Sequence, residues 1–470
     1  MKYRFSIIYK LKNARPHAYV IMLIVIFIAG ILTWTLPAGN FERQLNTTLG
    51  IELVVPDTYQ TAEKTPIGLW SLCLCIFQGF VDSADIMFLL LFAVGYINLL
   101  IGTNSLNALV GSVLKTMGDR SYLLIPVFFI LFAICGSTFG MYEEALALVP
   151  AFMAIAVALG YDKIVGAVIV VGGAGIGFAA ATLNPFTVGL ASSIAGISIV
   201  SSKILIFRII SFIIFVTIGI LYLMHYAGKI KKDPSKSILH NEADKPLETD
   251  SRDEIALLIL SLRQKITLYL FVIVVLWIAI GVIVFDFYIP ELSSIFIIAM
   301  IITGLINKMS ANEIAESFIQ SSRSMVFTML MIGLGRSIQI VITQGNIIDT
   351  IVLFLSNMIS GFPTVISAIA MLFAQNIINF FIPSGTVQAV VSMPIMVPVA
   401  DLVGLSREIS VLAFQFGNGF AVMFWPTGCA IICGVMGIGL GTWYKFFTKL
   451  FLILLSTQII LIVSAVLLGI

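Results

Sequence analysis

Apolar residues occur along this chain in runs long enough to cross a lipid bilayer. After a first run, Ala18–Leu36, they lie at about 67–81, 84–102, 121–135, 141–158, 163–182, 186–200, 203–224, 266–285, 292–306, 324–342, 350–360, 364–382, 386–403, 409–424, 428–441 and 446–469. A helix of about 20 apolar residues crosses the ~30 Å hydrocarbon core. The pattern predicts an all-α polytopic membrane protein, although several runs are too short to cross alone.

One densely charged segment, residues 228–265, interrupts these runs. Its mixture of lysine, arginine, aspartate and glutamate is typical of a solvated linker. We therefore divide the chain into an N-terminal half, residues 1–227, a charged aqueous linker, residues 228–265, and a C-terminal half, residues 266–470.

Short motifs recur in the two halves at an offset that drifts only from 247 to 241 residues. The matched pairs are Ser137 with Ser384, Pro150 with Pro394, Gly160 with Gly404, Gly175–Phe178 with Gly417–Phe420, Pro185 with Pro426, and Gly196 with Gly437. Their constant order predicts two structural repeats. Sequence similarity alone leaves open whether the repeats are inverted or parallel.

Four stretches inside the apolar regions combine Gly or Pro with Ser, Thr or Asn. They are residues 135–144, 182–187, 379–386 and 417–428. Irregular backbone survives at membrane depth only when it is buried in protein or lines a wet cavity. Each half has two such stretches, which predicts one re-entrant helical hairpin and one broken transmembrane helix per repeat. The alternative is a set of ordinary kinks and turns.

These breaks provide most of the predicted substrate- or ion-binding residues. The free N–H groups at half-helix N-termini suit carboxylates, and the free carbonyls at C-termini suit cations. From the breaks themselves we predict binding by Thr182, Pro185, Asn379, Pro383, Thr386 and Thr427.

Ionisable residues in the apolar regions are the next candidates, since a charge at the bilayer centre costs ~2.5–3.5 kcal/mol. Glu143 and Glu144 lie at the first predicted hairpin tip, where they would hold a cationic group or exchange protons, unless they simply face an aqueous mouth. Arg336 could balance one of these acids or contact the substrate. Asp82 and Asp85 fit an interfacial turn.

Composition excludes several classes of function. Only 11% of the residues are charged and mean hydropathy is +1.09, whereas soluble domains carry about 25% charged residues. A net charge of +2 gives no reason to expect nucleic acid. The five cysteines have apolar neighbours and the three histidines lie at segment ends or in a loop, so we predict no metal centre, no cofactor and no enzyme. Gly172–Gly177 fits close helix packing better than a nucleotide loop.

Charge also bears on orientation. Basic residues between Lys2 and Arg15 precede the first run, which predicts a cytoplasmic N-terminus in the inner membrane, and the polar segment 40–65 is expected outside. Residues 66–102 could cross once or twice. The number of crossings decides on which side of the membrane the linker lies, so the position of the linker stays open.

The motifs resemble those of the YfcC-type family of basic amino acid antiporters. This family is related to the anaerobic C4-dicarboxylate carriers and the arginine/ornithine antiporters of the ion transporter superfamily. The resemblance is carried by Arg15–Tyr19, Leu36–Gly39, Thr138–Ala145, Gly175–Phe178, Thr182–Phe186, Ile378–Gly385, Met393–Leu402 and Leu412–Gly419. It implies an inverted repeat that works by alternating access. It also implies that Ser137, Thr138, Asn184, Ser384, Gly385 and Asn418 face the site.

One segment departs from that family. Residues 421–429 read Ala-Val-Met-Phe-Trp-Pro-Thr-Gly-Cys, where the family pattern has more polar side chains before its proline. An altered substrate specificity is therefore expected to originate at the second broken helix.

The leading hypothesis is a secondary transporter of amino acids, by cationic amino acid uptake or arginine/ornithine-type exchange. The first alternative is Na⁺- or H⁺-coupled transport of C4-dicarboxylates or other small carboxylates. An intramembrane enzyme using Glu143 and Asp401 is disfavoured, and a channel fits two occluding hairpins less well than a carrier does. The expected partners are a small-molecule substrate and the lipid bilayer, and apolar helices at one edge would permit a homodimer.

Overall fold

The computed structural model describes residues 18–46, 51–106, 108, 109, 112, 118–200, 202–240, 261–285, 287, 289–359 and 361–470. Within these ranges eight helices are long and apolar enough to cross a bilayer, or nine spans result if one bent pair counts as a single crossing. The chain is therefore a multi-pass helical membrane protein. The basic cluster Lys2–Arg15 and the linker centre, residues 241–260, lie outside the described residues.

The described residues up to 232 contain nine α-helices, and most of them coincide with a predicted apolar run. They are α1 (Ala18–Thr35), α2 (Leu69–Val81), α3 (Ala84–Gly102), α4 (Leu124–Phe139), α5 (Glu143–Leu146), α6 (Val149–Ala158), α7 (Lys163–Ala179), α8 (Leu190–Ile194) and α9 (Ser202–Lys232). Short 3₁₀ segments cover Gly118–Leu123 and Pro234–Lys236, and a π-helical turn, Pro185–Gly189, leads into α8.

Nine more lie in the described residues from 261 onwards. They are α10 (Leu262–Val284), α11 (Ile289–Ile306), α12 (Ala311–Gln344), α13 (Ile348–Ile359), α14 (Thr364–Phe381), α15 (Gly385–Leu402), α16 (Arg407–Ala421), α17 (Pro426–Met436) and α18 (Leu440–Leu467). Helix α12 begins well before its apolar run. Ser310 and Glu313 form a capping box that satisfies the first N–H groups and starts the helix in a polar stretch.

A small β-lobe, formed by the described residues between 39 and 61, connects α1 to α2 and was not predicted from the sequence. Gly39–Asn40 (β1) pairs with Gln60–Thr61 (β4), and Arg43–Asn46 (β2) pairs with Ile51–Val54 (β3), both antiparallel. The lobe is attached to the first turn of α13. Buried Asp349 accepts from the backbone N–H of Phe41 and forms an ion pair with Arg43 at 3.0 Å.

Helices α2 and α3 run one after the other alongside α12 and antiparallel to it. Gly79 of α2 lies against Gly333 and Ser337, whereas Gly95 of α3 lies against Phe318. The turn at Asp82 therefore lies partway along α12. The β-lobe precedes the start of α2, whereas the C-terminal end of the linker meets the end of α3, where Gln264 donates to the Thr103 carbonyl. These opposite ends of the α2–α3 pair are here called the lobe face and the linker face.

Two helical hairpins, α4–α6 and α14–α15, have their outer ends at opposite faces. Helix α4 packs parallel to α7, because Phe129 and Ala133 contact Gly173 and Gly177, so α4 starts and α6 ends at the linker face. Small residues 172–177 allow this close approach, as expected. In the second hairpin, α14 and α15 have their outer ends together at the lobe face, where the Thr364 hydroxyl donates to the Val403 carbonyl at 3.0 Å.

The two broken helices, α7–α8 and α16–α17, run in opposite directions. Helix α7 starts at the linker face, where Asp162 accepts from the Tyr226 hydroxyl at the end of α9. Helix α16 starts at the other face, where Arg407 donates to the Ala195 carbonyl beyond α8. Helices α16 and α17 meet at an angle of 42°.

All four predicted breaks are present, but each is shorter than predicted. Cys135–Phe139 stay helical in α4 up to Gly140, whose φ of 72° ends the helix, and Gly417–Ala421 stay helical in α16. The glycines that stay helical serve close packing, since a Cβ on Gly417 would lie 2.6 Å from the Leu372 carbonyl oxygen.

Candidate functional site

The four breaks converge on one cavity of about 200 Å³ at the centre of the protein. This volume is below the ~300–1,000 Å³ that is typical of drug-sized ligands, so the cavity suits a small metabolite. Its lining residues are Ser83, Ile86, Gly140, Tyr142, Glu143, Glu144, Leu146, Phe178, Phe186, Ile332, Gly335, Arg336, Pro383, Ser384, Gly385, Thr386, Asn418, Val422, Thr427, Gly428 and Ile431.

The tip of the first hairpin, Gly140–Glu144, contributes carboxylates. Gly140 turns the chain out of α4, and the next helix starts at once with Glu143 and Glu144 in its first turn. Both side chains line the cavity and both residues are partly exposed. The first tip therefore has the chemistry to receive a cationic group.

The tip of the second hairpin, Pro383–Thr386, contributes a helix N-terminus. Ser384 caps α15, and the first backbone N–H groups of that helix have no intrahelical partner. Gly385 allows contact with the other half, because a Cβ there would lie 2.7 Å from the Thr187 side chain. This tip is suited to a carboxylate.

A single arginine adds a positive charge to the cavity wall. Arg336 projects from α12 and donates to the Gln339 amide oxygen at 2.6 Å. Among the described residues, none of the ion pairs involves Arg336, Glu143 or Glu144. The cavity therefore has carboxylates and a guanidinium that are not paired with each other, an arrangement complementary to a molecule with charges of both signs.

Backbone carbonyls of the second broken helix are occupied by hydrogen bonds within the protein. The carbonyl of Met423 accepts from the Trp443 indole at 2.9 Å, and that of Phe424 accepts from the Tyr444 hydroxyl at 2.9 Å. Phe424 stacks on Phe451 and does not line the cavity. In this segment Val422 and Thr427 reach the cavity, and the Thr427 hydroxyl finds no partner in the described part of the chain.

Eight of the predicted site residues line the cavity: Glu143, Glu144, Pro383, Ser384, Gly385, Thr386, Asn418 and Thr427. The other six do not line it. Thr138 donates within its own helix to the Ile134 carbonyl. Asn379 donates to Gln388 at 3.2 Å. Their roles in binding stay predictions.

Ser137 and Thr182 join the first hairpin to the first break. The Ser137 carbonyl accepts the backbone N–H groups of Thr182, Leu183 and Asn184, and its hydroxyl lies 3.0 Å from that of Thr182. Asn184 caps the π-helical turn by accepting from the Phe186 N–H, and Pro185 starts that turn. These contacts position the tip without forming the cavity wall.

Several cavity residues were not predicted from the sequence. Arg336 was left between two roles, although a lone arginine in an apolar run is a strong signal. Tyr142, Phe178 and Phe186 form an aromatic part of the wall. Gln388 lies outside the cavity wall and accepts a hydrogen bond from Asn418. In the sequence it could be recognised because it lies four positions before Ser392, which places both polar residues on one face of α15.

A multi-pass helical protein with a cavity that contains charged side chains between chain breaks has the architecture of a membrane transporter. The sequence profile of the C4-dicarboxylate anaerobic carrier family, DcuC, matches residues 16–467. The chain belongs to this family. Because the family consists of carriers, the prediction that the chain is not an enzyme is confirmed.

Individual relatives extend this comparison. The chain is 30% identical over 505 residues to the Escherichia coli K12 protein named "Putative basic amino acid antiporter YfcC", covering 97% of each chain. It is also 30% identical over 497 residues to an uncharacterized Haemophilus influenzae protein, covering 96% of each. The resemblance to YfcC-type proteins is thereby confirmed. The solved structure of Neisseria gonorrhoeae MtrF superposes with a TM-score of 0.44 at 17% identity, covering 96% of this chain and 95% of that one.

Proposed function

We propose that this protein exchanges cationic amino acids of the arginine/ornithine type across the membrane. The observation that carries the proposal is the charge of the cavity wall, where Glu143 and Glu144 face the same space as Arg336. Two carboxylates and one guanidinium give a formal net charge of −1, which complements an amino acid with a net charge of +1.

The substrate is oriented by the two ends of this charge pattern. The α-carboxylate binds Arg336 and the N-terminus of α15, since a guanidinium pairs with a carboxylate through two N–H groups and a helix N-terminus attracts anions. The cationic side chain binds Glu143 and Glu144. The name of the YfcC relative, a basic amino acid antiporter, agrees with this assignment.

A C4-dicarboxylate is the second candidate substrate. The family description names such substrates, and Arg336 together with the N-terminus of α15 favours a carboxylate. A substrate of charge −2 would, however, meet two further carboxylates in the same small cavity. The charge balance therefore favours the amino acid.

Transport follows from an inverted repeat in which each half contributes one re-entrant hairpin and one broken helix. Two matched bonds support the repeat: Asp162 accepts from the Tyr226 hydroxyl and Ser406 donates to the Ile470 carbonyl, each across 64 residues. The matched glycines 160 and 404 have φ of 84° and 71°, and glycines 196 and 437 have φ of 69° and 66°. Tilting of the two hairpins in turn exposes the cavity to each side.

The linker face is assigned to the cytoplasm of an inner membrane. Lys229, Lys231 and Lys232 end α9 there, and Lys236 follows. Cytoplasmic loops are enriched in lysine and arginine. Because α1 runs parallel to α12 towards the lobe face, this assignment also makes the N-terminus cytoplasmic.

Counterflow in proteoliposomes tests the proposal. Vesicles containing unlabelled ornithine should accumulate labelled arginine, and vesicles containing succinate should not. The same uptake is measured with and without sodium and with and without a pH gradient, because either Na⁺ or H⁺ could be a coupling ion. Accumulation driven by succinate alone would replace the proposal with the dicarboxylate alternative.

A further inference from the structure

Behind the second hairpin tip, five buried polar side chains form a network: Gln375, Asn379, Gln388, Ser392 and Asn418. They lie on three helices, α14, α15 and α16. All are at most 1% exposed, and only Asn418 also lines the cavity. The network thus connects the hairpin to one polar atom of the cavity wall.

The orientation of every amide in this network follows from one backbone group. The Gln375 carbonyl can only accept, and it lies 2.8 Å from one end of the Gln388 side-chain amide, which must therefore be Nε2. The Gln375 side-chain oxygen, also at 2.8 Å, takes the second hydrogen of that nitrogen. Gln388 Oε1 consequently points the other way, toward Asn418.

Gln388 Oε1 in turn fixes Asn418. An oxygen can only accept, so the atom of Asn418 that lies 2.7 Å from it is Nδ2. Asn379 donates to the same oxygen at 3.2 Å. Asn418 therefore turns Oδ1 away from the network and toward Gly385 at the hairpin tip, where a Cβ would lie 3.0 Å from it. No donor in the described residues occupies that oxygen.

We infer that Gln388 is a specificity-determining positioning residue, which locks Asn418 so that its carbonyl oxygen receives the α-ammonium group of an amino acid substrate. The inference rests on the proposed function. A carboxylate has no hydrogen to donate, so it cannot form a hydrogen bond with the Asn418 Oδ1 atom. It lies beside the N-terminus of α15, which attracts the α-carboxylate, and an amino acid carries its ammonium group on the adjacent carbon.

The experiment compares arginine with 5-guanidinopentanoate, which has the same side chain and carboxylate but no α-amino group. Affinities are measured by competition for labelled arginine exchange in proteoliposomes. We expect Gln388→Met to reduce the preference for arginine over 5-guanidinopentanoate at least about tenfold, since one hydrogen bond to a charged group is lost. The preference for arginine over lysine, which the side-chain end determines, should stay unchanged.

Two further variants separate positioning from general damage. In Gln388→Glu, a protonated carboxyl group still donates to the Gln375 carbonyl and still accepts from Asn418, so the preference for arginine should stay within about threefold of the wild type. Ser392→Ala removes a hydroxyl group one turn along the same helix that has no contact with Asn418. This variant should also retain the preference for arginine.

The outcomes are distinguishable. If the wild type exchanges arginine and Gln388→Met keeps the full preference over 5-guanidinopentanoate, the role of Gln388 is wrong and the proposed function stands. If Gln388→Met and Gln388→Glu lose the preference for arginine over 5-guanidinopentanoate equally, the network acts only structurally and the inference also fails. If the wild type does not exchange arginine at all, both proposals are overturned.

Discussion

The two hairpin tips face one cavity but have different chemistry. The first tip ends α4 at Gly140 and exposes Glu143 and Glu144, so it contributes negative charge through side chains. The second tip places Gly385 and Thr386 at the start of α15, so it contributes N–H groups of the backbone. The two tips thus form an anionic end and a cationic end of one small cavity.

The hydrogen bonds behind the two tips also differ. Behind the first tip, hydrogen bonds between Ser137 and Thr182 connect the end of α4 to the break after α7. Behind the second tip, amides from three helices fix each other's orientation through Gln388. A polar network in a low-dielectric interior is stabilising only when each member has its partner. We infer that the first tip contributes charge and the second contributes orientation.

The largest effect is expected when the positive charge between the tips is removed. Arg336→Met should raise the KM for arginine exchange by about 100-fold, because the α-carboxylate loses its charged partner. Arg323→Met is the matched control, since Arg323 lies on the same helix, is exposed and does not line the cavity. An unchanged KM in Arg336→Met would remove Arg336 from the site.

The second prediction tests the negative charge of the first tip. The double variant Glu143→Gln, Glu144→Gln changes the formal charge of the cavity from −1 to +1 and should weaken arginine exchange at least about tenfold. Competition by a dicarboxylate should become stronger. Asp82→Asn, an exposed acid at the α2–α3 turn, serves as the control. A loss of exchange with equal loss for every ligand would indicate damage to the hairpin and not a change in selectivity.

The third prediction addresses contact between the second tip and the opposite half. A Cβ on Gly385 would lie 2.7 Å from Thr187 and 3.0 Å from Asn418, so Gly385→Ala should force the tip outward. We expect a several-fold lower exchange rate with correctly folded protein. Gly441→Ala, where no atom lies within 4 Å, should behave as the wild type. Equal rates for both variants would show that the tip tolerates this displacement.

The smallest effect concerns the apolar segment of the second broken helix. The Trp425 indole donates to the Asn376 carbonyl at 2.9 Å and does not line the cavity. Trp425→Phe should therefore lower stability by about 1 kcal/mol and leave the KM within about twofold, measured by thermal melting and exchange. Trp70→Phe, at an exposed tryptophan, is the control. A changed substrate preference in Trp425→Phe would show that this segment does determine substrate specificity.

Much of the fold follows from periodicity and chain breakers. Apolar runs predict the helices because lipid-facing and core-facing positions are both apolar, and Gly or Pro next to Ser, Thr or Asn predicts the four breaks. The breaks are shorter than predicted because glycines such as Gly136 and Gly417 stay helical where backbones pack closely. The β-lobe was not predicted, since its strands have only two to four residues.

Tertiary contacts decide what the sequence left open. The course of α2 and α3 depends on their packing along α12, which no local charge pattern specifies. Arg336 could be assigned to the cavity only after α12 was placed beside both tips. Gln388 resembles any buried amide until the Gln375 carbonyl fixes its direction.

Direct binding to the purified protein is the most direct test of the claim that the charge of this cavity selects a cationic amino acid. Thermal unfolding is followed with arginine, ornithine and succinate at equal concentrations, because a ligand that binds the folded state raises the melting temperature. The account predicts that arginine and ornithine stabilise the wild type, that succinate does not, and that Glu143→Gln with Glu144→Gln removes the difference. Stabilisation by succinate but not by arginine would contradict it.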